Sequence, residues 1–213
     1  MEAYHADQQR RLALERQKKD TDKAINALGG LKPYEEFTFD RFRRDENPAA
    51  FDKASAFDPA RDNIYLYGRN RLGKTHLATA IARRHLERGL SALVIAWPDL
   101  ITDLRKFESA GDFDGEERYI NRLASLDVLV IDDLGLGAAT EYVVKILWQI
   151  LTRRMNRRKN GLIITSNLTL NDLNVKYGKK IPSRIFEITG EENLVLFFEQ
   201  KRGTGVKTAV NFE

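Results

Sequence analysis

The chain has 213 residues, 42% of them hydrophobic and 31% charged, enough for one full α/β domain and a short appendage under a highly charged surface. There is no cysteine, which excludes disulfides and cysteine zinc sites, and the three histidines (His5, His76, His85) lack metal-ligand spacing. The formal charge of +4 points only weakly to nucleic acid; no apolar run is long enough to span a bilayer, and the polar, mixed-charge opening is no secretory signal, so a cytoplasmic location is expected.

Four segments are expected: a charged helical arm at 1–30, a connecting segment packed on the core at 31–61, a core at 62–200 and a basic tail at 201–213. The arm is rich in Gln, Arg, Lys, Glu and Ala and is ended by Gly29-Gly30 and Pro33. Its apolar stripe (Tyr4, Leu12, Leu14, Ile25, Leu28) is thin, so it docks on the domain or on a partner. Phe37, Phe39, Phe42, Phe51 and Phe57 then anchor the connecting segment to the core, or stand beside a bound base. From 62 the pattern alternates. Strands are predicted at 64–67, 92–97, 126–132, 161–166 and 193–198. Helices are predicted at 73–88, 98–107, 116–125 and 140–158, with a polar break at 109–115 and short helices through 171–188. Such alternation implies a parallel sheet covered on both faces.

Between the first strand and the first long helix lies Gly68-Arg69-Asn70-Arg71-Leu72-Gly73-Lys74-Thr75, which fits the phosphate-binding loop in the context that the motif requires. Gly68 and Gly73 allow the backbone N–H groups to turn toward phosphate oxygens at a helix N-terminus. Lys74 then reaches the β- and γ-phosphates, and the Thr75 hydroxyl binds Mg²⁺.

The strand at 126–132 runs into two carboxylates. Asp132 is expected to hold the Mg²⁺ shell and Asp133 to orient or deprotonate water; capping or solvated turn roles are the alternative. The strand at 161–166 leads to Asn167, placed to meet the attacking water or the γ-phosphate, or else to cap the turn at Leu168-Thr169-Leu170-Asn171. No N-K-x-D guanine-reading tetrapeptide is present, which argues against a GTPase, and the paired acids with Asn167 suit a water-using ATPase better than a small-molecule kinase. Arg153, Arg154, Arg157, Arg158 and Lys159 form a basic run that is either the solvated end of a helix or a DNA contact.

Taken together the motifs resemble the DnaC/IstB-like group of AAA+ ATPases, which includes helicase loaders and transposition helper ATPases. Tyr34-Glu35-Glu36-Phe37-Thr38-Phe39-Asp40-Arg41-Phe42 is similar to the family's opening segment. Gly73-Lys74-Thr75-His76-Leu77-Ala78, Ile131-Asp132-Asp133-Leu134-Gly135 and Thr165-Ser166-Asn167-Leu168 are similar to its Walker A, Walker B and sensor-1 stretches. The resemblance implies a P-loop NTPase, a three-layer αβα fold with a five-stranded parallel sheet and a C-terminal helical lid reduced or absent. It implies ATP bound by residues 68–75 and His76, with Mg²⁺ on Thr75 and Asp132. Ser183-Arg184-Ile185 falls where the family carries its arginine finger, so Arg184 would act on a neighbour's γ-phosphate within a ring or spiral. The implied partners are single-stranded DNA and a replicative helicase or transposase. DNA would lie between the Walker motifs, where Arg105, Lys106, Arg118 and Arg122 alternate with Asp99, Asp103, Glu108, Asp112, Asp114, Glu116 and Glu117. Two departures are expected to matter. Arg71 stands where many relatives have a third glycine and would tune or crowd phosphate contacts; Asp133 replaces a longer Glu, which favours slow hydrolysis.

Overall fold

The computed structural model describes Gln8, residues 36–157 and residues 160–198. The expected arm, apart from Gln8, and the expected tail at 201–213 lie outside them. The elements in order are α1 (Pro48–Ser55), β1 (Ile64–Gly68), α2 (Lys74–Glu87), β2 (Ala92–Ala96), α3 (Trp97–Ala110), α4 (Phe113–Ser125), β3 (Val128–Leu134), α5 (Glu141–Met155), β4 (Gly161–Ser166), α6 (Leu170–Tyr177), α7 (Lys180–Thr189) and β5 (Leu194–Phe197).

All strand pairs are parallel, in the order β2-β3-β4-β1-β5. The step from β1 to β2 runs one way across the sheet, and every later step runs the other way. Right-handed crossovers therefore put α2 on one face and α3 to α7 on the opposite face. The strands β2, β3 and β4 are apolar up to their carboxyl ends, where β3 and β4 turn polar, because both faces are covered; Val128 to Ile131 are fully buried. At the β4/β1 boundary the chain leaves adjacent strands in opposite directions, which opens a crevice at their carboxyl ends.

Several boundaries differ from the sequence reading for local reasons. Trp97, expected in a strand, opens α3, whose start carries Pro98. The break expected at 109–115 narrows to Gly111 and Asp112. Gly111 ends α3 in the left-handed region (φ 65°), and the Asp112 carboxylate caps α4 by accepting the Gly115 N–H at 2.8 Å. Strand β3 begins later and continues through both acids to Leu134. Of the five phenylalanines named for the connecting segment, Phe57 is buried and Phe39, Phe42 and Phe51 pack against the core, while Phe37 stacks on His76.

The basic run is not wholly solvated: two of its arginines are engaged within the fold. Arg154 is 2% exposed, and its guanidinium donates to the carbonyls of Leu123, Leu126 and Gly161 at 3.0, 3.1 and 2.6 Å. It thereby ties the end of α4 to the start of β4. Arg153 pairs with Glu117 at 2.6 Å, while Arg158 and Lys159 lie outside the described residues. Arg154→Met keeps the stem but leaves three carbonyls without a donor, and is expected to lower unfolding free energy in urea by about 3 kcal/mol. Arg153→Met, which loses an accessible ion pair, should change the urea midpoint little.

Candidate nucleotide site

Strand β1 delivers the loop to the crevice at Gly68, which also pairs with Phe197 of β5. A Cβ on Gly68 would lie 2.3 Å from the Phe197 carbonyl oxygen, and its φ is 133°, so only glycine fits between the two strands. At Gly73 (φ 89°) a Cβ would meet the Phe42 ring at 2.6 Å, so the connecting segment packs directly on the loop. Arg71 also has a positive φ, 63°, a conformation that glycine adopts at least cost; its side chain is exposed. Asn70 is exposed as well, and Leu72 packs toward the core.

Helix α2 starts after Gly73 with no side-chain cap, in contrast to α4, α5 and α6, capped by Asp112, Thr140 and Thr169. Its first N–H groups are thus available to an anion. Lys74, 5% exposed, folds back over the loop and donates to the carbonyls of Gly68 (2.9 Å) and Arg69 (2.7 Å) and to Asn167 Oδ1 (3.0 Å). Burial lowers its pKa, while Asp133 and Asp132 oppose that shift.

Asp132 is 3% exposed. Its Oδ1 accepts from Thr165 Oγ1 at 2.6 Å and Thr75 Oγ1 at 2.9 Å. Burial raises its pKa; the two hydroxyl donors and Lys74 oppose this, and Asp133 adds to it. After Ile131, β3 advances three residues while β4 advances two, which is a bulge. Asp133 sits in that bulge at φ 56°, with its N–H donated to Thr165 Oγ1 at 2.9 Å. The bulge is how consecutive acids on one strand both reach the crevice.

Asn167 follows β4 and touches Lys74; it is not the cap of the next helix, because Thr169 and Asp172 form that capping box. Its neighbour Leu168 is fixed by a hydrogen bond from the buried Tyr65 hydroxyl to the Leu168 carbonyl (2.7 Å) and by its own N–H to Ser166 Oγ (3.0 Å). The His76 ring points away from the loop's concave side: Nε2 donates to the Thr38 carbonyl at 2.7 Å, and the ring stacks on Phe37 at 4.8 Å. Only its backbone is therefore left to meet the expectation that His76 binds nucleotide.

Lys74, Thr75, Asp132, Asp133 and Asn167 thus form one connected group. Arg184 does not join it. It lies on α7 against α5, over the Trp148 ring at 4.5 Å and 2.9 Å from Glu187 Oε2. Two residues that brace this group escaped the sequence reading. Thr165, though within the quoted sensor stretch, had no role assigned; Tyr65 carried no signal beyond that of a strand residue.

The donor set fits Mg²⁺. A hydroxyl and a buried carboxylate meet at the helix start, hard oxygen ligands of the kind that supplement phosphates and water. Among the described residues no group of three or more His, Cys, Asp or Glu forms a separate cage. No described helix is long and apolar enough to cross a membrane.

The sequence profile of the family described as IstB-like ATP binding protein matches residues 7–182. The chain belongs to that family. A replicative helicase loader DnaC from Buchnera aphidicola subsp. Baizongia pistaciae is 29% identical over 64% of this chain and 55% of its own length. DnaC of Escherichia coli K12 is 34% identical over 53% of this chain and 46% of its own. An ATP-binding protein of insertion sequence IS1162 from Pseudomonas fluorescens is 35% identical over 51% and 45%. The chain spans about half the length of these relatives. A crystal structure of the DnaC helicase loader superposes with a TM-score of 0.66 at 23% identity, covering 78% of this chain and 99% of that one. The replication initiator DnaA bound to AMPPCP and single-stranded DNA gives 0.66 at 19% identity, covering 76% and 50%. These likenesses place the fold of this family member among the P-loop AAA+ proteins.

The raised pKa of Asp132 has a consequence for stability. The folded state holds this proton more tightly than the unfolded chain, so stability falls as pH rises from the ordinary carboxylate range through the folded pKa. Asp132→Asn is therefore expected to melt higher than the parent at pH 7. That advantage should shrink on acidification below the ordinary range, as read by thermal unfolding across pH.

Proposed function

We propose that this chain is a Mg²⁺-dependent ATPase that serves as a DNA-replication accessory protein of the helicase-loader kind, assembling with copies of itself on single-stranded DNA. The observation that carries the reading is the contact of Lys74 Nζ with Asn167 Oδ1 at 3.0 Å, beside the Thr75–Asp132 pair. The loop lysine, the acidic strand end and the polar end of the next strand converge on one crevice, the arrangement that phosphoryl transfer to water needs.

In this reading Lys74 exchanges its loop carbonyls for the β- and γ-phosphates. Thr75 and Asp132 hold Mg²⁺, which supplies charge neutralisation on the phosphates. Asp133 orients or deprotonates the attacking water, and Asn167 holds that water or the γ-phosphate. Arg184 is supplied to a neighbouring subunit's site, where its charge stabilises the transition state and makes turnover depend on assembly. The shorter Asp133 side chain favours slow hydrolysis. The helicase-loader function is argued from DnaC, and contact with single-stranded DNA from the DnaA complex. DNA cations in the α3–α4 region are partly engaged, Lys106 with Asp103 at 2.6 Å and Arg118 near Asp112 at 3.9 Å, so the electrostatic grip is modest.

A second reading, a transposition helper ATPase, is favoured by the family match and by the IS1162 relative. A replicative helicase is the partner in the first reading and a transposase in the second.

The deciding measurement is steady-state ATP hydrolysis with and without single-stranded DNA, with Lys74→Ala as the blank. Stimulation by DNA that the variant loses by at least tenfold, and that weakens steeply with salt, is expected. Nucleotide binding without turnover in either condition would replace the enzyme with an ATP-dependent assembly switch.

A further inference from the structure

Arg184 projects from α7, yet its guanidinium is held against its own chain on three sides. Its Cζ lies 4.5 Å from the centroid of the Trp148 ring. Its Nη1 is 2.9 Å from Glu187 Oε2 and 2.7 Å from Met155 Sδ. The side chain is 19% exposed. A planar cation on an indole face with a carboxylate at its edge is a favourable and specific seat.

The seat is incomplete. Arg184 Nε is buried with no hydrogen-bond partner among the described residues. A buried donor without an acceptor penalises the docked rotamer, which offsets part of what the ring and carboxylate provide. Glu187 is itself half exposed and lies one turn along the same helix, so its hold on Arg184 is open to competition. A cation balanced in this way can be drawn out by a stronger anion than one carboxylate. The terminal phosphates of a nucleotide bound to an adjacent copy of the chain are such an anion.

We infer that Trp148 and Glu187 are positioning residues that stow Arg184 against its own subunit, and that a second, nucleotide-bearing copy of this chain releases it. The inference rests on the finger reading of Arg184 given above. Stowing means that only a fraction of protomers present a free finger, and the apparent strength of assembly is reduced by that fraction. Weakening the seat should therefore promote assembly, whereas removing the finger should abolish its effect on turnover.

The test measures ATP turnover against protomer concentration, with single-stranded DNA present, for the parent, Glu187→Gln, Glu187→Asp, Arg184→Ala and the Arg184→Ala/Glu187→Gln double variant. Indole emission on adding ATP is recorded alongside. Trp148 is the half-buried tryptophan and Trp97 is enclosed in the core, so loss of the cation should register chiefly at Trp148. Glu187→Gln is expected to reach half-maximal turnover at about three- to tenfold lower protomer concentration. Glu187→Asp should return partway to the parent, and the double variant should behave as Arg184→Ala. The parent should show an ATP-dependent emission change that Arg184→Ala lacks. If Glu187→Gln matches the parent while Arg184→Ala loses concentration-dependent turnover, stowing is wrong and the finger stands. If Arg184→Ala is indistinguishable from the parent, the finger reading falls and stowing falls with it.

Discussion

One carboxylate oxygen organises the crevice. Asp132 Oδ1 receives hydroxyls from Thr75 at the start of α2 and Thr165 within β4, and Thr165 also takes the Asp133 N–H. Three segments far apart in the chain meet at that point, and none can shift without leaving a polar group unpaired in a dry environment. The fold accepts a buried carboxylate there because the donors hold it, but not fully: its pKa remains raised by burial. The same oxygen that fixes the geometry is thus a standing source of instability, a pattern found where local strain serves a site.

Lys74 extends this network to the sensor side. It bridges two loop carbonyls and Asn167, so the loop and the end of β4 are already in contact. Any anion entering the loop must compete for the ammonium group, and the competition is felt at Asn167. Behind the loop, Phe42 rests on Gly73 and Phe37 on His76, which makes the connecting segment the outer wall of the loop. Arg84 over Phe39 at 4.8 Å fixes that wall to α2 further along.

The strand–loop–helix context of residues 64–88 was legible because apolar periodicity, glycine spacing and a lysine-threonine pair all point to one structure. So were the five strands, since a doubly covered parallel sheet needs unbroken apolar runs. The bulge at Asp132–Asp133 was not legible, because it depends on the register between β3 and β4, which no local pattern encodes. Arg154 was misread for a related reason: an arginine at a helix end looks solvated until the strand and helix that supply its carbonyl acceptors are in place. His76 was assigned to the nucleotide from the resemblance alone, which says nothing of its ring; the helix turns that ring toward the connecting segment.

Gly68 and Phe197 are paired across β1 and β5, and Asn47 Oδ1 accepts the N–H of Phe198 beside them. The loop's first residue is therefore braced by a strand that lies almost at the opposite end of the described chain. During synthesis β1, α2 and the acidic strand leave the ribosome well before β5. The partly made sheet then has β1 as an open edge, with unpaired backbone groups beside the glycine that begins the loop. The crevice therefore matures late: a nascent chain holds the whole loop and both acids of β3 before it holds the strand that braces Gly68.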